Sequence, residues 1–385
     1  MLLIELTGVQ SHTGKSSCSK CDQIGDYKER RVCFSKQIKN LRTDLSFKNR
    51  NDRSHHITPF KFRESILESG NFKMVSQFPL DPMHLVDLGV CKMLLQLLIK
   101  KSNINVSKIN EKITFLSNLV PSEFGRICRS LDDINIWKAT EFRQFLLYIG
   151  IFVLKDCVSG DHYYHFLLLH AGIRLLSCKK SYSSEANVAQ QILEEFVDLF
   201  GNIYGDHLVN YNIHGLLHLT ECTKLYGPLD NFSAYKFENH MQFLKKLINK
   251  LNKILQQLHL RLEERNSADF SCNKISKINS FNIDYKKEKD SYCFSKKLGP
   301  IKVIGMAGES GSAIVSAHCF FCVESYFQEP LESSTGLGIL LANKLDPQLF
   351  KIEKDYIVYK YFSIPHEGKF LLIPILHHLF HEFSN

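Results

Sequence analysis

From Phe78 to about Leu262, apolar residues recur at three- and four-residue steps, the spacing of one face of an α-helix. Leu85, Leu88, Met93, Leu94, Leu97 and Leu98 predict one buried helix. Trp137 to Leu154 and Tyr163 to Leu176 predict two more. Ala186 to Tyr204 predicts an amphipathic helix with Ile192, Leu193, Phe196, Val197 and Phe200 on one side. The most regular run extends from Tyr235 to Arg261. There Phe237, Met241, Leu244, Ile248, Leu251, Leu255, Leu258 and Leu262 alternate four- and three-residue steps along one seam. Lys246, Lys250 and Lys253 lie opposite, so the expectation is a core helix with a solvated basic face.

The flanking regions read differently. Residues 1–75 are rich in Gly, Ser, Lys, Arg and Asn with few periodic apolar positions, which predicts an irregular module. Residues 264–298 are polar and read as a linker after a helical region over 76–263. Beyond it, 299–385 carries short β-type runs punctuated by Gly and Pro: Ile301–Met306, Ala313–Cys322, Tyr356–Phe362 and Phe370–Ile375. These predict a small β-barrel or sheet on a mostly α chain.

Composition narrows the class. Apolar residues at 44% and charged residues at 23% of 385 exclude wholesale disorder. A net charge of +8 is compatible with a polyanionic partner without requiring one. No stretch approaches the roughly 20 apolar residues of a spanning helix, and the first residues carry no basic segment ahead of an apolar run. The expectation is a nuclear or cytoplasmic protein, neither secreted nor membrane-bound. The 12 cysteines then stay reduced and serve as packing residues or metal ligands.

Four constellations can carry chemistry. Cys18-Ser-Lys-Cys21 brings two thiolates within reach of one tetrahedral zinc ion, and His12 with either His55 or His56 would close that site. Asp81-Pro-Met-His84 places a carboxylate and an imidazole one helical turn apart, with Asp81 suited to cap the helix that Pro82 begins. His214-Gly-Leu-Leu-His218 sets two imidazoles on one helix face. Together Asp81, His84, His214 and His218 would make a second four-ligand site. Glu238 lies at the start of the seam helix, where it would cap that helix or bind a divalent cation. Cys319-Phe-Phe-Cys322 lies in a β-type run whose alternation separates its two thiols, so it reads as packing.

Several stretches in this order resemble one family. They are His12-Thr-Gly with Cys18-Ser-Lys-Cys21, and Phe78-Pro-Leu-Asp-Pro-Met-His-Leu-Val-Asp-Leu-Gly-Val90. Pro121-Ser-Glu-Phe-Gly, Trp137-Lys-Ala-Thr-Glu-Phe-Arg-Gln-Phe-Leu-Leu-Tyr148, Tyr211-Asn-Ile-His-Gly-Leu-Leu-His-Leu219 and Gly227-Pro-Leu-Asp-Asn-Phe-Ser-Ala-Tyr-Lys-Phe-Glu-Asn239 follow. Over roughly residues 8–265 the chain resembles CACTA-like (En/Spm-type) transposase-related proteins.

The resemblance implies an RNase H-like nuclease core interrupted by an all-helical insertion. It implies three acids holding two Mg²⁺ ions for DNA strand transfer, with Glu238 as the last of them. Asp81 and His84 match the family's Asp-x-x-His motif, and His214 and His218 its downstream pair, motifs that form a structural zinc site in the related recombinase of vertebrate immunity. Family members carry two catalytic aspartates upstream of the His-Thr-Gly region, for which this chain offers no counterpart. The expectation is therefore an N-terminally truncated, transposase-derived pseudoenzyme unable to cut or join DNA alone. The alternative is a domesticated nucleic-acid- or protein-binding factor. DNA is the expected partner, with a second protein chain covering the truncated core.

Overall fold

A computed structural model describes residues 6–101, 104–250, 252–269, 281–307 and 313–376. Helix accounts for 46% and sheet for 18% of the chain, so it is mixed rather than mostly α. The sheet comes almost wholly from the C-terminal third.

The N-terminal module has a short hairpin, β1 (Asp26–Lys28) and β2 (Arg31–Cys33), turning through Glu29 and Arg30 at positive φ. Ion pairs do what a small core cannot. Arg50 grips Glu68 through both guanidinium nitrogens at 2.7 and 3.0 Å. Arg42 holds Asp52 at 2.6 Å.

The helical body begins with α1. Its first part, Met83–Cys91, is π-wound and runs into α-helix at Lys92–Lys101. Asp81 caps it, accepting from the backbone N–H of Met83 (3.2 Å) and His84 (3.1 Å). Next come α2 (Val106–Ser117) and α3, which runs through Ala139–Gln144, Phe145–Ile149 and Gly150–Val153. α4 (Gly160–Ser177) and α5 (Ala186–Tyr204) pack against each other, with His165 stacked on Phe196 at 4.2 Å. α5 matches the expected amphipathic run, and Ile192, Leu193, Phe196, Val197 and Phe200 are all buried.

α6 (Tyr211–Gly215) tightens through Leu216–His218 and continues as α7 (Leu219–Tyr226). Two glycines let it lie close against α1. A Cβ on Gly215 would sit 2.4 Å from Leu85 Cδ1, and one on Gly89 would sit 2.5 Å from the Asn212 amide.

The expected single seam helix is instead two helices. α8 (Tyr235–Lys246) ends early and α9 (Ile254–Asp269) starts afresh, with Lys253 at φ +52° between them. The two fold back on each other, since the Arg265 guanidinium lies 4.6 Å from the centre of the Phe243 ring. One straight helix would set those residues roughly 33 Å apart. Gln257 braces the reversal, accepting from the Asn249 N–H at 3.1 Å and donating to the Lys250 carbonyl at 2.8 Å. Phe237, Met241 and Leu255 are exposed, at 67%, 52% and 82%. Heptad spacing holds a long helix straight only where something buries the seam, and nothing among the described residues does.

The expected linker also shortens. α9 reaches Asp269, and the first barrel strand starts at Tyr292. The strands are β3 (Tyr292–Ser295), β4 (Gly299–Ala307), β5 (Ile314–Ser325), β6 (Leu340–Leu345), β7 (Phe350–Glu353), β8 (Ile357–His366) and β9 (Lys369–Pro374). A short helix, α10 (Ser333–Leu337), precedes β6. The strand order is β4-β3-β8-β9-β6-β5-β7, and β5 also pairs with β4, which closes a six-stranded antiparallel barrel with β7 alongside. Within β5, Cys319 is half-buried and Cys322 exposed, as alternation requires.

Barrel and helices share one core. Phe362, Ile364, Leu371 and Ile373 join the same apolar cluster as Phe145, Leu146 and Phe166. A buried charge cluster reinforces the junction. Lys360, with a fully buried side chain, donates to Asp290 (2.5 Å) and to Glu123 (2.8 Å). Burial alone would raise the Asp290 pKa, but the Lys360 hydrogen bond and the Ser122 donors outweigh it and hold the carboxyl below its ordinary value.

Removing the cation would leave two acids facing each other in the interior. Lys360→Met is expected to cost about 3–5 kcal/mol in urea unfolding. Asp290, depressed in the folded state, contributes stability above the ordinary carboxylate range that is lost on acidification. The variant should therefore lose most near neutral pH and approach the parent in acid; an equal loss at both would refute the assignment.

Candidate metal centre

The structure gathers four of the sequence candidates into one cluster: Cys18, Cys21, His214 and His218, all buried. Cys21 Sγ lies 3.5 Å from Cys18 Sγ and 3.2 Å from His214 Nε2. Cys18 Sγ is 3.6 Å from His218 Nε2, and the two imidazole Nε2 atoms are 3.3 Å apart. A tetrahedral zinc ion with ordinary bond lengths separates two thiolates by about 3.8 Å, a thiolate and an imidazole by about 3.6 Å, and two imidazoles by about 3.3 Å. The cluster can hold a metal ion, and its donor set and spacing are compatible with structural zinc.

Local structure explains the placement. The Cys-x-x-Cys turn is tied down by Arg42, whose Nε donates to the Cys18 carbonyl at 3.0 Å, and by a bridge between Cys21 and Leu41. Lys20, inside the turn, donates to the carbonyls of Val75 and Phe78, both at 2.7 Å. On the other side, His214 Nδ1 meets the Ser35 carbonyl at 3.2 Å, which leaves Nε2 to face the thiols. Phe34 stacks on the His214 ring at 5.2 Å and covers it. The Cys21 hydrogen bond, with smaller help from both imidazoles, holds Cys18 well below the usual thiol range despite its burial. The same bond, together with burial, pushes Cys21 up. The pair thus shares one proton, Cys18 accepting from the Cys21 thiol, and a bound cation would have to displace it. Four buried protein donors would fill the coordination of a tetrahedral ion, an arrangement compatible with a structural site.

The remaining candidates stand elsewhere. His12 is exposed. His55 is buried with Nδ1 at 2.6 Å from the Ser16 carbonyl, and His56 packs edge-on against Phe47 at 4.6 Å. Burial lowers both to about 4, so they are neutral packing residues at ordinary pH. The expected division into two sites is thus replaced: the histidine pair joins the two thiols, not Asp81 and His84. Asp81 is occupied as a cap and also accepts from the Ala234 N–H at 2.7 Å. His84 is hydrogen-bonded to Asp81, and its Nε2 lies 3.5 Å from Glu238 Oε1. Both His84 and Glu238 are more than half exposed.

Near Asp81, His84 and Glu238 lies a network that pattern reading missed. Tyr235 donates to Asp87 at 2.8 Å, and Arg143 to Asp230 at 2.7 Å. Asp87 is buried, which raises its pKa to about 7 against the opposing pull of Arg143 and Tyr235. All four residues lie inside the stretches that carry the family resemblance, a signal that could have singled them out.

Fold and centre together define a mixed helical and β-barrel protein with a buried two-cysteine, two-histidine cluster. Residues 249–375 match a domain of unknown function, DUF8592, a span that covers α9 and every barrel strand. No curated protein and no solved structure matches the chain.

Asp87 carries a pH signature. Its folded pKa stands above the unfolded value near 3.9, so its contribution is full below that value and is lost as pH rises to about 7. Asp87→Asn should flatten the decline in thermal midpoint between roughly pH 4 and pH 7 and raise the midpoint at neutral pH. An unchanged slope would show that the group titrates normally.

Proposed function

We propose that this chain is a transposase-derived protein whose Cys18/Cys21/His214/His218 cluster is a structural zinc centre, and that it does not cleave or join DNA by itself. The observation that carries the reading is the meeting of the Cys-x-x-Cys turn with the His-x-x-x-His pair. Both belong to the ordered set of motifs that resembles CACTA-like transposases, and together they form one tetrahedral donor set. The ion would fasten the N-terminal module to a remnant of an RNase H-like core at α6.

The catalytic half of the proposal rests on Glu238. Strand transfer by two Mg²⁺ ions needs several carboxylates converging on one point. Glu238 faces the imidazole of His84 at 3.5 Å, and Asp81 is already engaged as a helix cap. A second reading is a protein- or DNA-binding factor, in which the exposed apolar residues of α8 and α9 would meet a protein partner. DNA binding through basic residues would weaken steeply with salt, and a flat salt response would remove that reading.

Two measurements test the main proposal. Metal analysis of the purified protein should find close to one zinc per chain, falling below a tenth of that in Cys18→Ser with His218→Ala. A chelator should lower the thermal midpoint of the parent only. Zinc-free protein of unchanged stability would dismiss the centre. In Mg²⁺ or Mn²⁺, neither the parent nor Glu238→Gln should nick supercoiled DNA. Nicking by the parent that disappears in Glu238→Gln would mean that the chain is a working nuclease.

A further inference from the structure

A cavity of about 450 Å³ opens where the helical body meets the barrel. Arg174, on α4, forms part of its wall and is 1% exposed. Two of its nitrogens are satisfied by neutral groups: Nη1 donates to the Leu147 carbonyl at 2.9 Å and Nη2 to the Pro374 carbonyl at 2.6 Å. Its Nε has no partner. Among the described residues no carboxylate pairs with it, and the ring of Tyr148 is 5.6 Å from the guanidinium carbon. Guanidinium keeps its proton in proteins, so the positive charge stays, buried and uncompensated, a costly state unless an anion joins it.

The rest of the wall suits such an anion. Lys180 adds a second cation. Ser184 lies beside it, its hydroxyl held only by a 3.3 Å bond to the Lys180 carbonyl and free to turn inward. Ser184 and Glu185 bring the N-terminus of α5 to the same wall, and Glu185, its N-cap, makes no side-chain cap hydrogen bond. The positive end of that 19-residue helix therefore opens near the cavity. Glu185 is the one carboxylate on this wall among the described residues, and it makes no ion pair with Arg174.

We propose that this cavity is an anion site that takes the carboxylate or phosphate group of a small molecule, with the Arg174 Nε–H as the central donor. The depth of Arg174 excludes a nucleic-acid backbone, and the volume suits a compact metabolite. The site stands on different residues from the zinc centre, so either proposal can fail alone. Its ligand would clamp the barrel to the helical body, because Arg174 already spans the two.

The test uses the full chain at constant ionic strength, titrated calorimetrically with inorganic phosphate and, separately, with acetate. One saturable site for either probe is expected, and the tighter probe identifies the anion class. Arg174→Gln should weaken binding at least tenfold. Because Arg174 also joins two backbone carbonyls, that variant can fail to fold, and two wall variants carry the test without it. Ser184→Asp should weaken binding at least tenfold by placing a negative charge in the cavity, and Glu185→Gln should tighten it. No saturable binding of either probe at millimolar concentration, or binding indifferent to both wall variants, would overturn the proposal.

Discussion

The contact between the Cys18–Cys21 turn and the His214–His218 helix joins segments about 200 residues apart in the chain. The N-terminal module depends on it. The module's own apolar clusters are small: Cys18, Cys21 and Phe34 with Val32, Ile38 and Tyr211 at the edge, and Phe47, Met74 and Val75 with Val9, Leu67 and Phe78 around them. A core of that size cannot offset the entropy of ordering some seventy residues. What remains is ionic and local: Arg42 on Asp52, Arg50 on Glu68, and Lys20 on two carbonyls. A divalent ion shared by four donors would supply the missing term, about 10–16 kcal/mol in small zinc modules.

That cluster in turn depends on how closely α6 approaches α1. Gly215 lies against Leu85 and Gly89 against Asn212, and a side chain at either position would push the helices apart. Buried Asp87, also on α1, accepts from half-buried Tyr235 at the start of α8, and half-buried Arg143 holds Asp230 just before it. Tyr235 thus ties the start of α8 to α1 by a hydrogen bond, while Phe237 and Met241 on α8 and Leu255 and Leu260 on α9 are exposed. The hairpin is anchored at one end and unsupported along its seam.

Buried charge recurs where the barrel joins the helices. Lys360 is neutralised by Asp290 and Glu123, whereas Arg174, a short distance along the same junction, meets only carbonyl groups. A cation with acids around it holds two bodies together, and one without acids invites a ligand. Both anchor the junction in which Phe362 and Ile373 pack with the helical core.

Much of the fold was legible along the chain. Period-3.6 spacing located α3, α4 and α5, because apolar periodicity reports burial directly. Alternating runs marked β4, β5, β8 and β9, while β3, β6 and β7 escaped, being four, six and four residues long, with Lys or Asn interrupting β6 and β7. All four cluster residues were recognisable as metal donors from their spacing within each pair. Which pair meets which was not legible, because spacing constrains only neighbours and two pairs can be combined in several ways. From the chain alone came the donor types, the apolar faces of α3, α4 and α5, and four of the seven strands of the C-terminal sheet, since these follow from local geometry. Only the tertiary structure decided that the thiols meet the histidines, that the seam helix folds back at Lys253, and that Arg174 is buried without an acid. Each of these depends on what packs across the chain, and burial of that kind is a property of the assembled core.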